Sequence, residues 1–69
     1  MAAQAVKNAL RQLRMLRGWT QQELGTKVGT SRQAIIAIEN GRFDPSLTLA
    51  IRLSRVFEKP IEEIFFLDH

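Results

Sequence analysis

Two short runs of residues between positions 20 and 41 begin at a helix-capping residue and end at a glycine, and this pattern constrains the fold more than any other feature. A side chain that accepts a hydrogen bond from the next turn favours a helix start, and glycine favours a helix end. The first run begins at Thr20 and ends at Gly29, and Glu23 lies three residues after Thr20, as in a capping box. The second run begins at Ser31 and ends at Asn40-Gly41. We therefore expect two short helices joined by a tight turn.

Apolar residues recur at three- and four-residue steps in both runs, which gives each predicted helix one inward face. The residues on this seam are Leu24, Val28, Ile35 and Ile38. Gly25 lies inside the first of the two helices, where glycine costs roughly 1 kcal/mol relative to alanine. Such a small residue predicts that another helix passes close by. The other side of the second helix carries Arg32, Gln33, Ile36 and Ala37.

Three more segments have helical spacing, and none alternates as a strand would. They are residues 5–17, which Gly18 ends; residues 47–57, which Ser46 caps; and a short last helix with Pro60 at its first position. The inward residues are Val6, Leu10, Leu13 and Leu16, then Trp19, then Leu49, Ala50, Leu53, Val56 and Phe57, and finally Ile61, Ile64 and Phe65. The sequence therefore predicts a compact all-α bundle of five short helices.

Composition excludes most catalytic and metal sites. The chain contains no cysteine and no tyrosine, and its one histidine is His69. Disulfides, thiolate zinc sites and histidine triads are therefore excluded, and we expect no cofactor. Glu62 and Glu63 are adjacent, so on a helix they project about 100° apart and do not face each other. The helix dipole alone explains acids in a first turn, so we predict that the chain is not an enzyme.

Length and hydropathy predict one small domain without a membrane segment. A chain of 69 residues has room for one core, which we place at residues 7–65, with 66–69 as a C-terminal tail. No stretch is long or apolar enough to cross a bilayer or to serve as a signal peptide. We expect a cytoplasmic protein that consists of a single domain over residues 1–69.

Charge is divided unevenly along the chain, and the division suggests an anionic partner. Residues 1–42 carry seven basic and two acidic side chains, a net +5, whereas residues 43–69 carry three basic and five acidic ones, a net −2. A basic half is typical of a protein that faces a polyanion. A solvated surface with uneven charge explains the same count, so the charge alone leaves both interpretations open.

Four ordered stretches resemble the Cro/C1-type (Xre-like) helix-turn-helix regulators of bacteria, archaea and phages. They are Leu-Arg-x-x-Arg-Gly-Trp-Thr-Gln-x-Glu-Leu at 13–24, Val-Gly-Thr-Ser-Arg-Gln at 28–33, Ile-Glu-Asn-Gly-Arg at 38–42 and Asp-Pro-Ser-Leu-Thr-Leu-Ala at 44–50. The resemblance covers about residues 7–65. It implies the lambda-repressor-like bundle, with the helix-turn-helix formed by the second and third helices, and a regulator that binds double-stranded DNA.

The resemblance assigns roles to individual side chains. The residues that would face bases in the major groove are Arg32, Gln33, Ile36 and Ala37. Phosphate contacts would come from Gln21, Ser31, Asn40 and Arg42. By their charge alone, Arg11, Arg17 and Lys27 are further candidates for phosphate contacts. For Arg17, Lys27 and Arg42 a solvated surface charge is the open alternative. Arg14 would pair with Glu39 and tie the first helix to the end of the third.

The C-terminal apolar residues predict a partner surface. A monomer of this size does not easily hide all of Ile61, Ile64, Phe65, Phe66 and Leu67, so we expect a homodimer through them. A two-fold dimer would bind a palindromic operator, and a repressor that occupies a promoter is the favoured function. The alternative is an antitoxin that binds a partner toxin as well as its own promoter. Neither function requires a small-molecule ligand.

Overall fold

The computed structural model describes residues 6–42 and 44–67, which form five helices and a two-stranded sheet. The elements in chain order are β1 (Val6–Asn8), α1 (Leu10–Leu16), α2 (Gln21–Val28), α3 (Arg32–Glu39), α4 (Leu47–Phe57), α5 (Ile61–Ile64) and β2 (Phe65–Leu67). The fold is mostly helical, as predicted, but the sheet means that it is not strictly all-α. The predicted helix start at Ala5 and the tail residues Asp68 and His69 lie outside the described residues.

Local capping sets the bounds of the three central helices as the sequence predicts. The Thr20 hydroxyl accepts from the Glu23 backbone N–H at 3.0 Å, and the Glu23 carboxylate accepts from the Thr20 N–H at 2.9 Å. These two bonds complete the capping box of α2. Ser31 and Ser46 cap α3 and α4, each 3.1 Å from the backbone nitrogen three residues on. Gly29 ends α2 in the left-handed region at φ 74°.

The two ends of the described chain pair as strands, which corrects two sequence-based predictions. β1 and β2 are antiparallel, with Val6 opposite Leu67 and Asn8 opposite Phe65. Val6 therefore lies in a strand and not in the first helix, and Phe66 and Leu67 belong to a strand and not to a tail. Local helical spacing could not reveal a pairing between residues so far apart in the chain.

One core fills the space between the helices. Its buried members are Leu10, Leu24, Val28, Ile35, Ile38, Leu53, Phe57 and Ile64, and the partly buried residues packed against them are Leu13, Trp19, Leu49, Val56 and Phe65. The prediction that Leu16 extends this core is wrong, because 82% of the residue is exposed. Leu16 comes six residues after Leu10, so it projects about 240° around α1 and faces away from the core.

The structure also corrects the predictions for Gly25 and Pro60. The turn between α2 and α3, and not another helix, passes close to Gly25: a Cβ there would lie 2.9 Å from the Thr30 carbonyl oxygen. Thr30 N–H in turn donates to the Gly25 carbonyl at 2.8 Å, so a small residue lets the turn close tightly. Pro60 is the N-cap of α5, with ψ 152°, and not its first helical residue, because its backbone is extended.

Candidate nucleic-acid interface

The helix α3 has an apolar inner face and a mixed outer face. Ile35 and Ile38 are 0% and 1% exposed in the core. The four residues predicted to contact bases lie outside that core; two are exposed and two half-buried, in the order Arg32, Gln33, Ile36 and Ala37. The outer face of this eight-residue helix thus combines two long hydrogen-bonding side chains with two apolar ones.

An ion pair holds the C-terminal end of α3 against α1. Arg14 Nε donates to Glu39 Oε2 at 2.7 Å, and Arg14 Nη2 donates to Glu39 Oε1 at 3.3 Å. Gln21 Nε2, at the start of α2, donates to the same Oε1 at 3.2 Å. The Glu39 side chain is 3% exposed and that of Arg14 12%, so salt screens the pair little. The network fixes three helices relative to one another.

Asn8 is a second anchor of α3 that the motifs in the sequence do not single out. Its Nδ2 donates to the Ile38 carbonyl at 2.9 Å, and its Oδ1 accepts from the Leu10 N–H at 3.1 Å. One side chain therefore links β1, the start of α1 and the last turn of α3. An asparagine just before a periodic apolar run is a helix-start signal. That signal could have placed the start of α1 after Asn8 instead of at Ala5.

A groove of about 550 Å³ lies between α1, the start of α2 and α3. The Arg14–Glu39–Gln21 network lines it, together with Arg11, Gln22, Arg32 and Asn40. Its three arginines and one glutamate give the lining a net formal charge of +2. This cationic groove adjoins the outer face of α3.

Three of the predicted phosphate contacts lie at the ends of α3. Ser31 is its N-cap and Asn40 its C-cap, Arg42 follows two residues later, and all three are exposed. The Ser31 hydroxyl accepts from the Ala34 N–H, so its proton is free to donate to another acceptor. The Arg42 backbone N–H donates to the Ala37 carbonyl at 2.9 Å, which folds the chain back over the end of the helix.

Two further predicted phosphate contacts, Arg17 and Lys27, surround Trp19. The indole packs on Phe57 with ring centroids 5.5 Å apart. Lys27 Nζ lies 4.7 Å from the Trp19 ring centroid, and the guanidinium carbon of Arg17 lies 5.5 Å from it. Arg17 Nη2 also donates to the Phe57 carbonyl at 3.1 Å, at the C-terminal end of α4. Both cations therefore make contacts within the fold that stabilise it.

The structure divides the five residues predicted to form a dimer surface. Ile64 is 0% exposed, so its assignment to a surface is wrong; α5 is a single turn whose last residue fills the core. Ile61 and Phe65 are half-buried. Phe66 and Leu67 are 43% and 50% exposed on β2. The apolar surface that remains here belongs to the small sheet.

The described residues contain neither a candidate metal site nor a candidate membrane span. Within residues 6–42 and 44–67, no three His, Cys, Asp or Glu side chains are grouped so that they could hold a metal ion. No helix in this part of the chain is long and apolar enough to cross a membrane.

Similarity to known sequences agrees with this architecture. The helix-turn-helix family model matches residues 10–64. The HTH-type transcriptional regulator MJ0272 of Methanocaldococcus jannaschii is 50% identical over 60 residues, which cover 87% of this chain and 91% of that protein. The HTH-type transcriptional regulator YgzD of Bacillus subtilis is 40% identical over 63 residues, 91% of this chain and 96% of that one.

Two solved structures share the fold. The restriction-modification controller protein C.AhdI from Aeromonas hydrophila has a TM-score of 0.71 and 28% identity, and the match covers 78% of each chain. The hypothetical transcription factor NHTF from Neisseria has a TM-score of 0.70 and 24% identity over 78% of this chain and 62% of that one, a likeness of fold alone.

Proposed function

The chain belongs to the Cro/C1-type family of helix-turn-helix transcriptional regulators, and from this premise we propose that it is a sequence-specific repressor of transcription that binds DNA as a homodimer. The observation that carries the proposal is the outer face of α3. None of its four outward residues belongs to the buried core, while the Arg14–Glu39 pair and Asn8 hold the opposite side of the helix in place. A rigid helix with a free outer face can enter the major groove of duplex DNA.

The side chains on this face match the edges of different bases. Arg32 can donate two hydrogen bonds to the O6 and N7 atoms of guanine, and Gln33 can pair with the N6 and N7 atoms of adenine. Ile36 and Ala37 are half-buried apolar groups, which suit the 5-methyl group of thymine. We expect each half of the DNA site to contain bases of these kinds.

Phosphate contacts would position the helix without reading sequence. Ser31 and Asn40 lie at the two ends of α3 and Arg42 just beyond it, so they can contact the DNA backbone on either side of the groove. Gln21 has one amide hydrogen on Glu39 and a second one free, so it can hold a phosphate while the network remains intact.

We assign the dimer contact to the exposed apolar residues of β2, Phe66 and Leu67, together with Ile61. Paired two-fold copies would place two α3 helices about 34 Å apart, one turn of DNA, and so select a palindromic operator. Burial of these side chains in a second copy would also add to a core that is small for an independent domain. A repressor of this kind acts by occupying a promoter.

Substitution of Gln33 tests the base-reading role. We expect Gln33→Ala to cost about 1–3 kcal/mol of binding free energy on the preferred duplex and to relax the preference at one base position per half-site. Gln12→Ala is the matched control, because Gln12 is an exposed glutamine on α1. Affinities on duplexes with single base changes measure both effects. An unchanged preference for Gln33→Ala would mean that α3 reads DNA in another register.

Sedimentation at micromolar concentration tests the dimer. We expect the protein to sediment as a dimer and Phe66→Ser to shift it towards monomer. Leu16→Ser is the control, because Leu16 is 82% exposed on α1 and lies outside the proposed contact. A strictly monomeric protein would contradict the dimer and favour a different protein, such as a toxin, as the partner of the same apolar residues.

A further inference from the structure

Arg11 and Arg32 open onto the cationic groove with their guanidinium groups unpaired. Both line the groove, and neither makes a hydrogen bond or an ion pair with any of residues 6–42 and 44–67. Arg14, the third arginine of the lining, is already bound to Glu39. The groove therefore has two charges without a counterion inside the fold, and an anionic ligand would neutralise them.

The position of Arg11 follows from that of Arg14. The two residues are three apart on α1 and so share one face of the helix. Arg14 lies against Glu39 at the end of α3, which brings Arg11 to the same side of the molecule. Arg11 consequently flanks the helix proposed to enter the major groove, at a place where a DNA backbone would pass.

Lys27 lies on the other side of α2. Gly25 packs against the turn that leads into α3. Lys27 comes two residues later, so it projects about 200° around the helix from Gly25 and away from α3. Its ammonium lies over the Trp19 ring, and Arg17 is held at the Phe57 carbonyl and over the same ring. Both cations are thus held beside the Trp19 ring, and Arg17 donates one of its N–H groups to the Phe57 carbonyl, so neither is directed at the outer face of α3 as Arg32 is.

We infer that Arg11 binds a phosphate of duplex DNA in the groove between α1 and α3, and that Arg17 and Lys27 bind none and stabilise the Trp19–Phe57 pair. The inference rests on the proposed DNA-binding function. It assigns different roles to three exposed cations of the same formal charge: Arg11 affects DNA binding, and Arg17 and Lys27 affect stability. Such a set supplies its own controls, because each substitution by glutamine changes the net charge equally.

The test measures the affinity for a fluorescein-labelled duplex of about 24 base pairs of arbitrary sequence over a series of NaCl concentrations. The logarithm of the affinity falls linearly with the logarithm of the salt concentration, and each phosphate contact makes this slope steeper by about 0.9. We expect Arg11→Gln to make the slope shallower by about 0.9 per bound protomer, and Arg11→Lys to keep the slope of the unsubstituted protein. Arg17→Gln and Lys27→Gln should leave the slope unchanged but lower the melting temperature by a few degrees. Arg11→Gln should melt as the unsubstituted protein does.

Two results would overturn the inference. One is a slope that Arg11→Gln leaves unchanged; the other is a slope that Arg17→Gln or Lys27→Gln lowers as much as Arg11→Gln does. Circular dichroism shows whether each variant is folded at the temperature of the titration. A failure of DNA binding itself is a separate outcome, because the unsubstituted protein would then bind no duplex at any salt concentration. A failure of sequence recognition alone is separate as well, because the duplex of arbitrary sequence would still be bound and the slopes could still be compared.

Discussion

At the scale of single residues, Glu58 is the one non-glycine residue with a positive φ among residues 6–42 and 44–67. It ends α4 at φ 56° and ψ 41°, a left-handed conformation that costs a non-glycine residue about 1–2 kcal/mol. Its carboxylate also lies at a helix C-terminus, where the dipole favours cations. We expect Glu58→Gly to raise the free energy of unfolding by about 0.5–1 kcal/mol, after allowance for the greater freedom of glycine in the unfolded chain.

Urea denaturation of Glu58→Gly and Glu58→Ala separates strain from charge. The alanine variant removes the carboxylate but keeps a Cβ in the left-handed conformation, so we expect no comparable gain in stability. An equal gain in both variants would assign the effect to the charge and contradict the strain argument.

Glu23 gives the fold a pH dependence through its cap. The pKa of the Glu23 carboxyl lies below its ordinary value of 4.5, chiefly because the Thr20 backbone N–H donates a hydrogen bond to it. A hydrogen bond with the Thr20 hydroxyl and, to a smaller extent, the positive charge of Lys27 lower the pKa further. A carboxyl with a lowered folded pKa stabilises the protein above its unfolded pKa, and this contribution is lost as the pH falls through the folded pKa. Glutamine retains the capping geometry but does not titrate.

We therefore expect Glu23→Gln to be less stable than the unsubstituted protein at neutral pH and to approach it in stability as the pH falls through the acid range. Thermal unfolding followed by circular dichroism over this range measures the difference. A constant difference at every pH would mean that the Glu23 charge adds nothing to the cap.

At the scale of elements, local signals were sufficient for some helices and insufficient for others. The bounds of α2, α3 and α4 could be predicted because Thr20, Ser31 and Ser46 act on backbone groups within the same turn. The start of α1 could not, because Val6 fits a helical period and yet pairs with Leu67 in a sheet. Strand pairing across the chain depends on the whole fold and leaves no local pattern in three residues.

The candidate site divides in the same way. The outer face of α3 follows from helical periodicity and could be predicted from the sequence. The surroundings of Arg17 and Lys27 could not, because their aromatic partners come from a loop and from α4. Long side chains at helix ends reach partners that only the tertiary packing brings near.

Substitution of Asn8 tests whether its hydrogen bonds between the sheet and α3 stabilise the fold. Asn8→Ala removes two hydrogen bonds, and we expect it to lower the free energy of unfolding by about 1–2 kcal/mol. Asn8→Asp keeps the acceptor for the Leu10 N–H but turns a negative oxygen towards the last carbonyls of α3. We expect it to be at least as destabilising as alanine in chemical denaturation. An aspartate variant with the stability of the unsubstituted protein would show that the bond to α3 contributes little.

At the scale of the whole molecule, the chain separates DNA binding from support. Residues 1–42 carry the net charge of +5 and include α1, α2 and α3, which build the groove and the outer face. Residues 43–69 carry a net charge of −2 and supply α4, α5 and β2, which complete the core and the sheet. This division places the attraction for a polyanion beside the helix that we propose reads bases.

An equilibrium selection from random duplex DNA with the purified protein, at near-physiological salt, tests base recognition by α3 directly. We predict enrichment of a palindrome whose half-sites lie about one helical turn, roughly 34 Å, apart. Binding without enrichment, which fades steeply as the salt concentration rises, would contradict the proposal. It would mean that the basic half of the chain attracts DNA while the outer face of α3 reads no sequence.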